Sequence, residues 1–319
     1  MSKYKVLVTD FAWPDLEIER EILSTIDAEI VLPESREEEH LSIAAVDCDA
    51  IMTCWAQTTK AVIAAATNCK IVARLGIGLD NIDVEFCTSN AIPVTNIPDY
   101  CVIEVAEHAL ASVFSLGRKI SFYHQQTQSG VYDLQAGSTL RRMQDQTLGI
   151  VGLGNIGQHL AKLAAGVGLN VIAYSRTPKQ IDHVQMVSFD DLLSTSDYVS
   201  IHAPLTSETE GMFGESEFTA MKSSAFLINT ARGGLIDHDA LSKAIADGQI
   251  CGAALDVQVP EPPDLSKLPY SDSRVIVTPH AAFVSQESLT DLRRRSAQQV
   301  VDRLSGLTPK HIVNEVEVS

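Results

Sequence analysis

The sequence predicts an α/β fold with two doubly wound parallel sheets. Short apolar runs alternate with amphipathic segments along the whole chain, which is typical of parallel α/β architecture. The length of 319 residues exceeds the usual range for one domain, and a hydrophobic content of 45% is ample for buried cores. A glycine-rich turn at Gly152-Leu153-Gly154-Asn155-Ile156-Gly157 directly follows one of the apolar runs. We therefore expect two α/β domains, one of which carries this turn.

Five apolar segments predict the strands of a first sheet. These strands are Lys5 to Thr9, Glu29 to Leu32, Ala50 to Cys54, Lys70 to Arg74 and Pro93 to Asn96. Helical segments lie between them, for instance Asp15 to Ser24, whose rough apolar stripe consists of Leu16, Ile18, Ile22 and Leu23.

The second half predicts a long helix, a second sheet and a returning helix. The long helix is Cys101 to Ile120, and a shorter one begins at Asn155. The strands are Thr147 to Val151, Asn170 to Tyr174, Tyr198 to Ile201, Ala225 to Asn229, Cys251 to Asp256 and Val275 to Thr278. The last helix, Ser285 to Ser305, is long enough to return to the first sheet. We therefore predict a discontinuous domain of residues 1–100 plus 286–319, with a second domain of residues 101–285 inserted into it.

Composition and charge argue against several functional classes. The chain carries 24 basic and 41 acidic residues, a net charge of −17, and shows no basic stripe, so we expect no binding to nucleic acid. The six cysteines form no CxxC pair and have no zinc spacing to histidines, so no metal site is expected. The sequence contains no run of about 18 apolar residues and no signal-peptide pattern at its start. We expect a cytoplasmic protein without membrane contact.

The glycine-rich turn predicts a dinucleotide site rather than a purely structural turn. Gly152 permits the tight turn, Gly154 lets the backbone approach a pyrophosphate, and Gly157 lets the helix pack on the strand. Asn155 and Ile156 lie at the helix start, where backbone amides face the phosphates. Because a predicted strand precedes the motif and a helix follows it, the context is that of a Rossmann domain.

The end of the next strand bears on which dinucleotide is bound. An acidic residue there would bind the ribose 2′-hydroxyl of NAD, but this chain has Tyr174-Ser175-Arg176-Thr177. Arg176 can pair with a 2′-phosphate, and Ser175 and Thr177 can donate hydrogen bonds to it. The alternative is that Arg176 stacks on adenine in an NAD enzyme. The missing carboxylate favours NADP(H), and NAD(H) stays open.

Three polar residues at strand ends predict the chemistry: Arg232, Glu261 and His280. Reduction of a 2-oxo acid needs a cation for the substrate, a proton donor for the developing alkoxide and a hydride donor over the carbonyl. The guanidinium of Arg232 suits bidentate binding of a carboxylate, and His280 can exchange a proton near neutral pH. Glu261 would orient the imidazole and favour its protonated form. Each residue alone could be a structural charge, but their order after a nucleotide turn predicts a dehydrogenase.

Over essentially its whole length, the sequence resembles the D-isomer-specific 2-hydroxyacid dehydrogenases. The matching blocks are Ala73 to Asp83, Gly152 to Gly157, Asn229 to Gly234, Ala254 to Val257 with Glu261-Pro262, and Thr278 to His280. The resemblance implies a Rossmann nucleotide domain inserted into a flavodoxin-like substrate domain, with Arg232, Glu261 and His280 as the catalytic trio. It also implies a small 2-oxo or 2-hydroxy acid of D configuration as the substrate.

The same resemblance implies further site residues. The substrate carboxylate would be bound by backbone amides near Leu75, Gly76 and Ile77, and Trp55 and Phe283 would line the substrate pocket. Asp256 would orient the nicotinamide amide. The other implied cofactor contacts are His202, Ala203, Pro204, Thr209, Thr230, Ala231 and Ala282.

Two blocks look like the C-terminal-binding-protein branch of this family, Pro98 to Ala106 and His280 to Ser285. This likeness leaves an alternative open: a protein that senses NAD(P)H and binds a partner with little turnover. Ser175 and Phe283 depart from that branch, which usually has an acidic residue and a tryptophan there. The loop Trp55 to Thr59 lacks the arginine of phosphoglycerate dehydrogenases, which argues against a phosphorylated substrate, and Glu261 replaces the glutamine of formate dehydrogenases.

The family likeness also implies a homodimer. The predicted helix from Cys101 to Ile120 and the polar segment from Tyr123 to Arg142 resemble the dimerisation arm of the family.

Overall fold

The computed structural model describes residues 2–137, 140–177 and 179–317. The chain divides into two compact units, one of Met1–Tyr100 with Ser285–Ser319 and one of Cys101–Val284. Both units are built on parallel sheets, so the predicted fold class is confirmed.

The first unit contains a parallel sheet in the order β2-β1-β3-β4-β5. Its strands are β1 (Tyr4–Val8), β2 (Ala28–Val31), β3 (Ala50–Thr53), β4 (Val72–Arg74) and β5 (Val94–Thr95). Its first helices are α1 (Glu17–Ser24), α2 (Glu38–Ala45), α3 (Lys60–Ala65) and α4 (Val84–Ser89). The strands are nearly continuous apolar runs, for instance Val6 to Val8 with no exposed surface, because helices cover both faces of such a sheet.

The second unit contains a seven-stranded parallel sheet in the order β12-β11-β10-β9-β6-β7-β8. Its strands are β6 (Thr147–Val151), β7 (Asn170–Tyr174), β8 (Val184–Met186), β9 (Tyr198–Ile201), β10 (Phe226–Asn229), β11 (Gly252–Leu255) and β12 (Val275–Val277). Its helices are α5 (Val102–Gly117), α6 (Ile120–Gln128), α7 (Asn155–Gly166), α8 (Phe189–Thr195), α9 (Glu215–Ala220) and α10 (His238–Ala246). The strand order reverses at β6, which pairs with β7 on one side and β9 on the other. Ligands of such sheets bind at the carboxyl ends of the strands where the order reverses.

The last helix, α11 (Gln286–Leu304), belongs to the first unit and packs on its core. Leu292, Ala297 and Val300 are fully buried there. The guanidinium of Arg293 donates to both carboxylate oxygens of the buried Glu19 on α1, at 2.9 and 2.8 Å. Because removal of one partner would leave a buried charge without its counter-ion, this pair fastens α11 to α1.

One predicted helix is shorter than expected. The segment from Cys101 to Ile120 forms α5 only as far as Gly117, and Lys119 takes a left-handed conformation (φ +52°) before α6 begins. Gly117 faces the Tyr198 hydroxyl so closely that a Cβ would overlap it, which allows the helix end to pack against β9. Apolar periodicity alone carries no signal of that contact.

The predicted dimerisation arm, residues 123–142, lies only partly in the described chain, since residues 138 and 139 fall outside it. Within it, Tyr132 and Leu134 are 95% and 85% exposed. The homodimer stays a prediction. Among the described residues no helix is long and apolar enough to cross a membrane.

Candidate active site

The glycine-rich turn joins β6 to α7 in the second unit. Gly152 has φ +98°, and a Cβ there would lie 2.6 Å from the carbonyl oxygen of His202. A Cβ on Gly157 would overlap the carbonyl oxygen of Gly152, whereas a Cβ on Gly154 would meet no described atom within 4 Å. Gly152 and Gly157 therefore keep the turn tight, and Gly154 leaves open space beside it.

This turn has the features that a dinucleotide pyrophosphate requires. Gly154 is the N-cap of α7 and provides no side-chain hydrogen bond to the helix start. The first-turn amides, including those of Asn155 and Ile156, have no acceptor in the preceding turn of helix, and the helix dipole favours an anion there. The turn also lies at the carboxyl end of β6, where the strand order reverses.

Two glycine variants separate folding from cofactor binding. Gly154→Ala is expected to keep the stability of the wild type, because its backbone (φ −74°) suits alanine and its Cβ meets open space. Its affinity for NADPH should fall at least about tenfold, since a methyl group then occupies the phosphate approach. Gly157→Ala is expected to lower the free energy of unfolding by about 1–3 kcal/mol, because the turn must shift. Thermal unfolding and calorimetric titration measure both, and a Gly154→Ala variant with wild-type affinity would contradict the phosphate assignment.

At the end of β7, Ser175 is half-buried while Arg176 and Thr177 are exposed. The Arg176 guanidinium donates to the carboxylate of Glu208 at 3.0 Å, with side chains 87% and 73% exposed. Residue 178 lies outside the described chain. The sequence reasoning did not foresee the pair with Glu208, which joins two loops 32 residues apart.

The loop after β9 carries four of the predicted cofactor contacts: His202, Ala203, Pro204 and Thr209. The Thr209 hydroxyl donates to the Pro204 carbonyl at 2.7 Å and accepts from the Thr206 amide at 2.9 Å, so it holds the loop together. His202 Nε2 lies 2.8 Å from the Ser200 hydroxyl. Burial lowers the pKa of His202 from its ordinary 6.5 to about 4.

This pKa shift predicts a specific loss of stability in acid. A histidine with a lowered folded-state pKa stabilises the fold fully above pH 6.5, and this contribution falls as the pH drops towards 4, because the unfolded chain then binds the proton more strongly. The full effect of His202 is about 3 kcal/mol. We expect chemical denaturation at pH 7 and pH 4.5 to show a smaller loss of unfolding free energy in His202→Gln than in the wild type. Equal losses of unfolding free energy in the two proteins would contradict the lowered pKa of His202.

The loops after β10, β11 and β12 carry Arg232, Glu261 and His280. His280 Nδ1 lies 2.9 Å from Glu261 Oε2, and the other oxygen of Glu261 accepts the amide of Gln258 at 3.0 Å. Burial would raise the pKa of Glu261. The hydrogen bond and charge that His280 can supply, the Gln258 amide and the nearby charge of Arg232 outweigh burial and hold that pKa below its usual range. The carboxylate is therefore ionised near neutral pH and orients the imidazole through Nδ1.

A buried carboxylate shapes the loop that presents the histidine. Asp256, at the end of β11, is 2% exposed and accepts from the amides of Ala281 and Ala282, at 2.9 and 2.8 Å, and from the hydroxyl of Thr278. His280 takes a left-handed backbone conformation (φ +51°), and its amide donates to the Asp256 carbonyl. A carboxylate offers about four acceptor positions, of which these bonds use three, and the contact of Asp256 with a nicotinamide amide stays a prediction.

Close packing also ties the arginine loop to the glutamate loop. A Cβ on Gly233 would overlap the backbone of Gln258, so the two loops touch directly. The Asn229 side chain brackets the arginine loop, donating to the Arg232 carbonyl at 2.8 Å and accepting from the Ala231 amide at 3.0 Å. The Arg232 guanidinium in turn donates to the Ala231 carbonyl at 2.7 Å. The three loops therefore form one connected arrangement.

Two predicted contacts near the trio have distinct environments. The Thr230 hydroxyl oxygen is buried and, within the described ranges, makes no hydrogen bond. Phe283 is 9% exposed and packs with its ring nearly perpendicular to that of His280, at a centroid distance of 6.0 Å. Phe283 thus contacts the imidazole itself.

In the first unit, the predicted carboxylate-binding loop needs one correction. The Leu75 amide donates to the Thr53 carbonyl at 2.8 Å as part of the sheet, so it is not available to a substrate. The Gly76 and Ile77 amides donate no hydrogen bond to the described residues, and they can bind an anion. Arg74 stabilises this loop, since its Nε donates to the Gly78 carbonyl at 2.9 Å. Trp55 is half-buried, with its amide 3.0 Å from the Asp10 carboxylate.

Comparison with known proteins identifies the family of this chain. Residues 110–282 match the family model described as the NAD-binding domain of D-isomer specific 2-hydroxyacid dehydrogenases. The chain belongs to this family.

Its curated relatives include a glyoxylate reductase from Thermococcus litoralis, 36% identical over 283 residues that cover 84% of each chain. A D-3-phosphoglycerate dehydrogenase from Archaeoglobus fulgidus is 35% identical over 257 residues, covering 79% of this chain but 49% of that protein. The chain thus spans about half the length of this relative. Among solved structures, an acyclic imino acid reductase in complex with NADPH and D-Arg is 26% identical with a TM-score of 0.85, covering 97% of this chain and 99% of that one.

Several residues of this dehydrogenase-family site were missed by sequence reasoning. Asn229, Gln258 and Thr278 stabilise the three loops without belonging to the predicted trio. A signal was available, since each is a polar residue at or just after the end of a predicted strand.

Proposed function

We propose that this protein reduces a small 2-oxo acid to the D-2-hydroxy acid with a reduced nicotinamide dinucleotide. The observation that carries the proposal is the 2.9 Å pair between His280 and Glu261, with the loop of Glu261 packed against that of Arg232. An acid–base pair beside a guanidinium, on the sheet that carries a dinucleotide turn, matches the needs of hydride transfer to a carbonyl.

The residues of the second unit divide the work as follows. The bound nicotinamide supplies the hydride. His280, with Nδ1 bonded to Glu261, presents Nε2 and donates from it the proton that the carbonyl oxygen gains. Nδ1 keeps its own proton, which it donates in a hydrogen bond to the Glu261 carboxylate. After the transfer the imidazole is therefore neutral, with its remaining proton on Nδ1. Arg232 binds the substrate carboxylate and stabilises the charge that develops on the oxygen.

We infer that NADPH is the preferred cofactor. The support is the absence of a carboxylate at Ser175 and the presence of Arg176 beside it. The solved imino acid reductase holds NADPH. The family model describes an NAD-binding domain, so NADH is the competing cofactor.

Turnover assays test the proposal. We expect loss of absorbance at 340 nm when NADPH is mixed with the protein and glyoxylate or hydroxypyruvate, with phenylpyruvate and a phosphorylated oxo acid as comparison substrates. The phosphorylated acid is expected to react poorly, because the loop Trp55 to Thr59 contains no arginine. Tight cofactor binding without turnover of any of these acids would refute the reductase and favour the cofactor-sensing alternative.

A further inference from the structure

Two loops at the carboxyl edge of the second sheet are joined by one ion pair. Arg176 follows β7, Glu208 follows β9, and their charged atoms lie 3.0 Å apart. In the described part of the chain, neither side chain makes another ion pair. Both loops carry predicted contacts to the adenosine half of the cofactor. The Arg176–Glu208 pair therefore lies where the ribose 2′ position is to be recognised.

We propose that Glu208 sets the preference between NADPH and NADH by competing with the 2′-phosphate for Arg176. This inference rests on the proposed dinucleotide-dependent function. In NAD-specific proteins, an acidic residue at the end of the strand that corresponds to β7 disfavours a 2′-phosphate. The proposal assigns this effect to a residue of the loop after β9. Here the end of β7 carries Ser175, and the carboxylate that pairs with Arg176 comes from the loop after β9.

The backbone at Glu208 is held in a short turn of its loop. The Glu208 amide donates to the Thr206 hydroxyl at 3.3 Å, and Thr206 is itself bonded to Thr209. The Thr209 hydroxyl donates in turn to the Pro204 carbonyl. This short turn fixes the backbone from which the Glu208 side chain reaches Arg176, so the carboxylate stays within reach of the guanidinium.

Charge then discriminates between the two cofactors. To bind NADPH, Arg176 must exchange a carboxylate for a phosphate, and the phosphate comes to lie near the negative charge of Glu208. A planar guanidinium binds a phosphate well, so NADPH can still be preferred. NADH brings no charge to this position and meets no such penalty. Because both side chains are highly exposed, the effect is modest, on the order of 1.5- to fivefold in affinity.

The test is a gain of affinity, which structural damage would not produce. We expect Glu208→Gln to bind NADPH and adenosine 2′,5′-bisphosphate about 1.5- to fivefold more tightly than the wild type, on the estimate for exposed ion pairs. NADH affinity should be unchanged. The gain should shrink in 0.5 M salt, since exposed charges are then screened. Fluorescence or calorimetric titration of the full chain measures these affinities without turnover.

Glu210→Gln is the matched control, because it removes the same charge from an exposed position in the same loop. Equal gains in the two variants, or an equal gain for NADH, would overturn the role of Glu208. Arg176→Ala should weaken NADPH much more than NADH, and equal weakening would refute the phosphate contact and with it the competition. Absence of turnover would instead refute the proposed reductase activity and leave these binding results intact.

Discussion

The His280→Gln variant is expected to lose most of its turnover while it keeps its cofactor. Glutamine retains a polar group near Glu261 but cannot donate a proton to a developing alkoxide. General acid catalysis is worth about 10² to 10⁴ in rate, so kcat/KM should fall by that factor. NADPH affinity should stay within about twofold, since the turn and the β9 loop are untouched. Stopped-flow absorbance at 340 nm and calorimetric titration measure the two quantities.

His183→Gln provides the control for this experiment. His183 is exposed in the same unit and far from the trio in sequence, so its loss should leave turnover unchanged. A His280→Gln protein with more than a tenth of wild-type kcat/KM would mean that another group supplies the proton.

The local parts of the fold were predictable from sequence. β6, β7 and β9 have the bounds that the apolar runs predict, and α7 begins at Asn155 as expected. These boundaries are set by residues within a few positions, such as the glycines that follow β6. The grouping of Arg232, Glu261 and His280 also followed from sequence, because the carboxyl ends of parallel strands meet at one edge of a sheet.

The sequence could not show which distant loops pair with each other. It also could not show which backbone amides are already hydrogen-bonded within the fold. The amide of Leu75, predicted to bind the substrate, donates instead to the neighbouring strand β3, and the loop motif cannot reveal this hydrogen bond. Likewise, the guanidinium of Arg176 is paired with Glu208, a residue that no local pattern connects to it. Both facts depend on register and loop packing, which are tertiary properties.

The role of Asp256 shows how the structure enlarges an assignment made by resemblance. Its carboxylate accepts two amides of the loop that carries His280, so it positions the imidazole whatever else it contacts. Glu261 acts on the ring itself through Nδ1. The histidine is thus held through both its backbone and its side chain, which pre-organises the proton donor before substrate arrives.

The Arg232→Lys variant is expected to show the second-largest loss, and it separates the charge from the shape of the guanidinium. Lysine keeps the positive charge but lacks the planar fork that binds a carboxylate through two hydrogen bonds. Lysine also cannot reproduce the present geometry, in which one nitrogen of the fork donates to the Ala231 carbonyl. Loss of one hydrogen bond to a charged group costs about 1.5–3 kcal/mol, so kcat/KM for glyoxylate should fall about 10- to 150-fold. Most of the fall should appear as a higher KM, because the carboxylate is bound in the ground state as well as in the transition state.

Arg274→Lys is the matched control for this substitution. Arg274 precedes β12 and pairs with Asp272 at 2.6 Å, so it lies at the opposite end of that strand from His280. Its replacement should change stability slightly and kinetics not at all. If Arg232→Lys keeps kcat/KM within about threefold of the wild type, less than 1 kcal/mol of transition-state binding is lost. The fork would then not hold the carboxylate, and charge alone would account for the arginine. A raised KM with an unchanged NADPH affinity would instead support contact between the guanidinium and the oxo acid, because the substitution would then have left the cofactor site intact.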